Sequence, residues 1–202
     1  MNGKMLYDLN ISNVTTSSNY QVTKLASKFT IKNGFILTRI GLISDTHSYL
    51  DDAVFTHFKN CDEIWHAGDV GSMDVIKKLR AFKPLKGVYG NIDDAAIQQL
   101  FPENLFFTCE EVNVFMRHIG GYPGKYSTGV KDLIIKNRAN LFISGHSHIL
   151  KVMFDEKVNC LHMNPGAAGN QGWHKVRTLI RFTIDGKSMK DCEVIELGKR
   201  GL

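Results

Sequence analysis

The sequence predicts a single α/β domain, layered with helices outside the sheets. Three observations carry this. Short apolar runs of strand length alternate with segments of helical spacing through the first half. Strand-like runs dominate the second half. No repeat and no linker interrupts residues 36–199.

The elements follow in order. FILTRIGLIS (35–44) is an Ile- and Leu-rich run, as a buried strand requires. LDDAVFTHFKN (50–60) has apolar residues at helical spacing, with Asp51 and Asp52 in its first turn, where the helix dipole favours acids. EIWHAG (63–68) reads as a short strand. SMDVIKKLRAF (72–82) reads as a helix with Ser72 as N-cap. PLKGVYG (84–90) is a third strand and DDAAIQQLF (93–101) a short helix. LFFTCEE and VNVFMRH (105–118) form a hairpin turning near Glu110 and Glu111. TGVKDLIIKNRAN (128–140) is a helix leading into the strand LFISG (141–145). LKVMFD, VNCLHMNPG, VRTLIRFTI and MKDCEVIEL supply the last strands.

Composition narrows the class. A chain of 202 residues buries enough surface to need no disulfide staples. Its mean hydropathy is −0.15, and without an apolar run of eighteen residues no membrane helix is expected. The four cysteines are far apart with no C-x-x-C pair, which argues against a disulfide scaffold or a zinc ribbon and predicts a reducing, cytoplasmic setting. The net charge of +5 comes mostly from residues 1–39, which hold five basic side chains and one acid. The remaining 163 residues hold 20 basic and 19 acidic groups, so a nucleic-acid partner is not expected. Residues 1–35 are polar and poorly periodic, and are predicted as a disordered or loosely attached extension preceding the domain of residues 36–202. That stretch lacks the apolar core of a secretory leader and the arginines of a mitochondrial one.

The chemistry lies at the strand ends. Successive apolar runs are followed by Asp45-Thr46-His47, Gly68-Asp69, Gly90-Asn91, His118, and Gly145-His146-Ser147-His148. The intervals of 22 to 28 residues are close to one βαβ unit of roughly 30 residues. Parallel strands bring their carboxyl ends to one edge, so these residues should converge. Two carboxylates, one amide and four imidazoles suit divalent metals, and the lack of thiolates argues against a closed structural zinc site. Seven groups exceed the need of one ion. Two ions about 3.5–4 Å apart, sharing a carboxylate, would use them all. Glycines beside Asp69, Asn91 and His146 fit tight turns that aim short side chains at the sheet edge.

These motifs, completed by Asn164-Pro165-Gly166, resemble the calcineurin-like metallophosphoesterases from about Arg39 to the final strands. Singly, Asp-x-His or Gly-Asp recur by chance; all of them in this order are specific. The small size looks most like the compact bacterial and archaeal phosphodiesterase branch, which includes the small retromer subunit. The resemblance implies an α/β/β/α sandwich of two mixed sheets flanked by helices. It implies that Asp45, His47 and His148 bind one metal, that Asn91, His118 and His146 bind a second, and that Asp69 bridges them. The residues expected to take part in catalysis are Asn91, Asp93 and His146. The implied reaction is hydrolysis of a small phosphodiester by a metal-activated hydroxide, with two divalent ions, manganese first and iron, nickel or zinc as alternatives. The other function the fold hosts is a protein-interaction scaffold, as in the retromer subunit; the complete seven-residue set favours the enzyme. Self-association into a homo-oligomer is left open, and no membrane partner is expected.

The third motif departs from the family pattern. Many relatives have a histidine after Gly-Asn, as proton donor to the leaving group; here Ile92 follows, leaving Asp93 as a supporting group or a weak general acid. Ile119-Gly120-Gly121 stands where relatives often have a single Gly after the histidine, and Ala167 where many have Ser. Other residues read as structural: His66 as a satisfied, partly buried histidine, His162 as structural or else near the site, Trp65, Phe106 and Phe107 as core, and His57 and His174 as surface.

Overall fold

The computed structural model describes residues 31–32 and 35–201, with side chains from Leu37 onward. The extension predicted for residues 1–35 therefore lies almost wholly outside the described residues.

In chain order the elements are β1 (Ile31–Lys32), β2 (Phe35–Ile43), α1 (Ala53–His57), β3 (Glu63–His66), α2 (Met73–Phe82), β4 (Leu85–Gly87) and α3 (Ala95–Leu100). The second half continues with β5 (Asn104–Cys109), β6 (Val112–Arg117), β7 (Gly121–Tyr122), β8 (Lys125–Tyr126), α4 (Val130–Lys136) and β9 (Leu141–Ile143). It closes with β10 (Lys151–Asp155), β11 (Cys160–Asn164), β12 (Val176–Asp185) and β13 (Ser188–Lys199). One sheet has the order β13-β12-β2-β3-β4, with β1 pairing β2; the other has the order β10-β11-β9-β6-β5. In the first, β2, β3 and β4 are mutually parallel; in the second, β6, β9 and β11 are.

Side-chain alternation builds four layers. Ile40 and Leu42 of β2 meet Met116 and Val114 of β6, Leu141 and Ile143 of β9, and Trp65 of β3 in the core between the sheets. Ile43, on the opposite face of β2, packs with Val54 of α1 and Val75, Ile76 and Leu79 of α2. Phe115 and Phe142 point to the other outer face and are covered by Val130 and Ile134 of α4. The architecture is the α/β/β/α sandwich.

Some local expectations are corrected. Ser72 takes the N-cap place of α2 but makes no side-chain capping bond, whereas Asp94 caps α3 by accepting from Ile97 N at 3.0 Å. Asp51 serves α1 instead of lying inside it: Oδ1 accepts from Ala53 N at 2.9 Å and Oδ2 from Arg177 at 2.7 Å. Phe106, expected in the core, is 39% exposed, because β5 is an edge strand and the ring's support is stacking on Phe115. The hairpin of β7 and β8 was not foreseen; its strands are two residues each, too short for a period to show.

Two histidines are buried in neutral form. Gly68 N–H donates to His66 Nδ1 at 3.2 Å, so Nε2 carries the proton and donates to Thr46 Oγ1 at 3.0 Å; that hydroxyl donates to Val70 O at 2.9 Å. His162 pairs through Nε2 with Ser144 Oγ at 3.0 Å. Burial pushes both imidazoles down to about 4, against about 6.5 in an unfolded chain. Between those values the unfolded chain binds protons that the native chain does not, so stability falls as pH drops through the window. We expect the urea midpoint of chelator-treated protein to decline from pH 6.5 to 4, and the decline to be shallower in His162→Gln. An equal decline in both would remove His162 from this account.

Candidate metal centre

The two sheets end side by side, and each contributes half of the site. Asp45 and His47 follow β2, Asp69 follows β3 and Asn91 follows β4 in the first sheet. His118 follows β6, and His146 and His148 follow β9, in the second. The interval from Asn91 to His118 is thus a crossing between sheets through the hairpin of β5 and β6, not a βαβ unit.

Backbone bonds carry the strand order into the loops. Asp45 N donates to Gly68 O and His47 N to Asp69 O, both at 3.0 Å. Gly145 N donates to His118 O at 3.0 Å. Asn164 Nδ2 donates to Gly145 O at 2.8 Å, so the Asn-Pro-Gly motif ties down the His146 loop. Five candidate residues sit in left-handed backbone: Asp45 (φ 53°), His47 (45°), Asp69 (53°), His146 (65°) and His148 (56°). Each costs of order 1–3 kcal/mol, and such strain collects at sites where the surroundings over-determine it. At Gly90 and Gly145 the approach is too close for a side chain. A Cβ would overlap Asp69 Oδ1 in the first case and Ser44 Oγ in the second.

The donor atoms fall into two groups. One holds Asp45, His47, Asp69 and His148; the other holds Asp69, His118 and His146; in each, ligand atoms lie within 4.8 Å of one another. His148 Nε2 is 3.2 Å from Asp45 Oδ1 and 3.3 Å from His47 Nε2, and His47 Nε2 is 3.6 Å from Asp69 Oδ2. Such spacings match the edges of a coordination shell with bonds of about 2.0–2.2 Å. Asn91 is exposed and lies between Gly90 and Ile92; Gly90 abuts the Asp69 carboxylate and Ile92 N donates to its Oδ1 at 3.2 Å.

His118 tests whether a cation fits. Its Nδ1 is 2.8 Å from Ala67 O and donates to it. Its Nε2 is buried, 3.2 Å from Asp69 Oδ1 and 4.0 Å from Asp45 Oδ1, with no hydrogen-bond partner of acceptable geometry. In the neutral ring that places a nitrogen lone pair against carboxylate lone pairs. The arrangement calls for a positive charge among them. The same field acts on the proton: burial alone would lower His118, but Asp69 and Asp45 outweigh it and raise it above the usual imidazole value. For Asp69, burial is outweighed by His118 and the carboxyl is held low. His146 is lowered by burial and by the neighbouring His118. An ion held by N and O donors fits this set.

Residues 38–187 match the model of the calcineurin-like phosphoesterase superfamily domain. The chain belongs to that family. A probable metallophosphoesterase of Methanothermobacter thermautotrophicus is 31% identical over 165 residues, covering 79% of this chain and 92% of that one. Among solved structures, a Thermotoga maritima protein superposes with a TM-score of 0.60 at 24% identity, covering 79% of this chain and 99% of its own. Wild-type Vps29 of Entamoeba histolytica, solved with zinc, superposes at 0.58 with 15% identity, covering 78% and 98%.

Two placements in this phosphoesterase domain bear on the sequence expectation, and one differs from it. Asp93 is buried, and its oxygens accept from Val70 N (3.1 Å), Gly71 N (2.7 Å) and Gly90 N (2.8 Å). Its carboxylate thus joins the loops after β3 and β4, as the supporting alternative requires. His174, expected at the surface, is half-buried against the site. Its Nε2 donates to Gly169 O at 3.0 Å, leaving Nδ1 to accept from His148 Nδ1 at 3.3 Å. Burial holds His174 below the usual imidazole value, which keeps that lone pair available. In the neutral His148 ring the Nε2 lone pair then faces Asp45. Its place after Asn-Pro-Gly was the one available clue, since no periodicity marks residues 165–175. His174→Ala should lower divalent-metal affinity roughly 10- to 100-fold by calorimetry, with a nearly unchanged urea midpoint. Unchanged affinity would show that His148 is set without it.

Proposed function

We propose that the protein is a phosphodiesterase working with two divalent ions, manganese first. The observation supporting this is the pair of donor groups that share Asp69 and contain only N and O donors. In this reading Asp45, His47 and His148 hold one ion, Asn91, His118 and His146 the other, and Asp69 both. The ions would acidify a water for attack on phosphorus and offset charge on the phosphoryl oxygens. The exposed Asn91 amide would donate to one of those oxygens and orient it. Ser44 Oγ, 2.6 Å from Asp45 Oδ2, and His146 N, 3.2 Å from both Asp45 oxygens, hold the first carboxylate in place. Ile92, 45% exposed, has no proton to give the leaving oxygen, and Asp93 is occupied by amides.

A scaffold reading draws on the apolar rim, where Trp173 is 99% exposed, and on the Vps29 fold neighbours. The complete donor set favours the enzyme.

Elemental analysis of protein loaded to saturation should give two ions per chain, with activity lost to chelators and restored best by manganese. Asp69→Asn should impair metal retention and turnover more than His148→Ala, because one lost charge leaves two cations repelling at short range. One ion at saturation, or a milder effect at Asp69, would overturn the shared-carboxylate reading.

General acid help is typically worth about 10²–10⁴ in rate. The natural protein should therefore show a steep negative dependence of log rate on leaving-group pKa across aryl and alkyl diesters. Ile92→His should flatten that dependence. A flat dependence in the natural protein would mean that another group delivers the proton.

A further inference from the structure

A cavity of about 600 Å³ opens beside the metal centre, and His146 belongs to both. Its size falls in the range of about 300–1,000 Å³ typical of small-ligand sites. The hairpin of β7 and β8 forms one wall, with Tyr122 and Tyr126, while Ile119 and Ile149 add apolar surface. Tyr126 is fixed, its hydroxyl donating to Asp155 Oδ2 at 2.9 Å. Tyr122 is capped by Lys151, whose Nζ is 3.5 Å from the ring centroid. Ile119, Tyr122 and Ile149 are 40%, 36% and 62% exposed, an apolar lip on a concave surface. A concave, mostly apolar surface with a few placed polar groups is the usual form of a small-ligand site.

The charged side chains that line the cavity have one sign. Lys125 and Lys151 line it, and among the described residues no carboxylate does. His162, 1% exposed, is part of its wall. The Ser144 hydroxyl donates to Gly121 O, so Ser144 Oγ accepts from His162 Nε2, and Nδ1 is left as a buried acceptor without a partner. Nothing in the metal chemistry above uses these residues.

We propose that this cavity is the recognition site for one arm of the substrate, a flat aromatic group carrying a further anionic substituent. The inference rests on the phosphodiesterase reading only for placing the phosphoryl group at the metals. The aromatic arm packs between Tyr122, Tyr126 and the apolar lip. Its added negative charge pairs with Lys125 and Lys151.

The test is calorimetric binding of three uncleavable probes to the manganese-loaded full chain: methylphosphonate, benzylphosphonate and (4-carboxybenzyl)phosphonate. All three present the same group to the metals. Benzylphosphonate should bind roughly tenfold tighter than methylphosphonate, through ring packing. The carboxylate should add a further severalfold gain that fades with salt. Tyr122→Ala should erase the benzyl advantage and leave methylphosphonate binding unchanged, which reports an intact fold and metal centre. Lys125→Gln with Lys151→Gln should erase the carboxylate gain alone. Equal affinity for the three probes, or a Tyr122→Ala loss shared by methylphosphonate, would overturn the proposal. Turnover of methyl 4-nitrophenyl phosphate, followed in parallel, separates the two readings. Turnover with no discrimination among probes sinks the cavity alone. Discrimination with no turnover sinks the diesterase reading and keeps the cavity as a binding site.

Discussion

Asp45 and Asp69 are 0% and 2% exposed, and one imidazole nitrogen, His118 Nε2, lies within 4.0 Å of both carboxylates. Burying two like charges at such range is unfavourable unless something positive lies among them. Amide hydrogens do part of this work: His146 N points at Asp45 and Ile92 N at Asp69. The imidazoles do the rest only if they are protonated or share a cation. Much of the site's construction follows from that constraint. The left-handed turns aim the donors inward, and Gly90 and Gly145 let backbone approach the carboxylates.

The loops around this charge are held by buried polar bonds. His66 links the turn after β2 to the turn after β3, accepting a hydrogen bond from the Gly68 amide and donating one to Thr46. Asp93 reaches back from the third turn to the second. Neither residue is in the donor groups, yet their bonds join the loops that carry Asp45, His47 and Asp69. Substituting them would move the donors without removing any.

Much of this was legible in the sequence, for a physical reason. Strand ends recur at regular intervals, and metal-binding residue types at those ends stand out against apolar runs. The strands and the layered fold followed from the same pattern. Three things were not legible. The break between the two sheets falls at the hairpin of β5 and β6, which reads like any other hairpin, so the site looked like one edge when it is two. His174 approaches His148 through a loop with no periodic signal. Asp93 read as a supporting group or a weak acid because its carboxylate stands next to Ile92; its partners are three amides, one of them in its own turn and two more than twenty residues upstream. Local pattern reports what a residue is beside in the chain; it does not report which backbone groups need an acceptor.

The division of the donor set between the sheets has a mechanical side. Asp45 and Asp69 ride on one sheet, His118, His146 and His148 on the other, and the seam between is greasy packing of Trp65, Met116 and their neighbours. Such a seam resists separation because it buries apolar surface. An ion gripped from both sides would act as a rivet through the plates. Sliding one sheet past the other would pull its ligands apart, so cargo at this edge and rigidity of the whole sandwich rise and fall together.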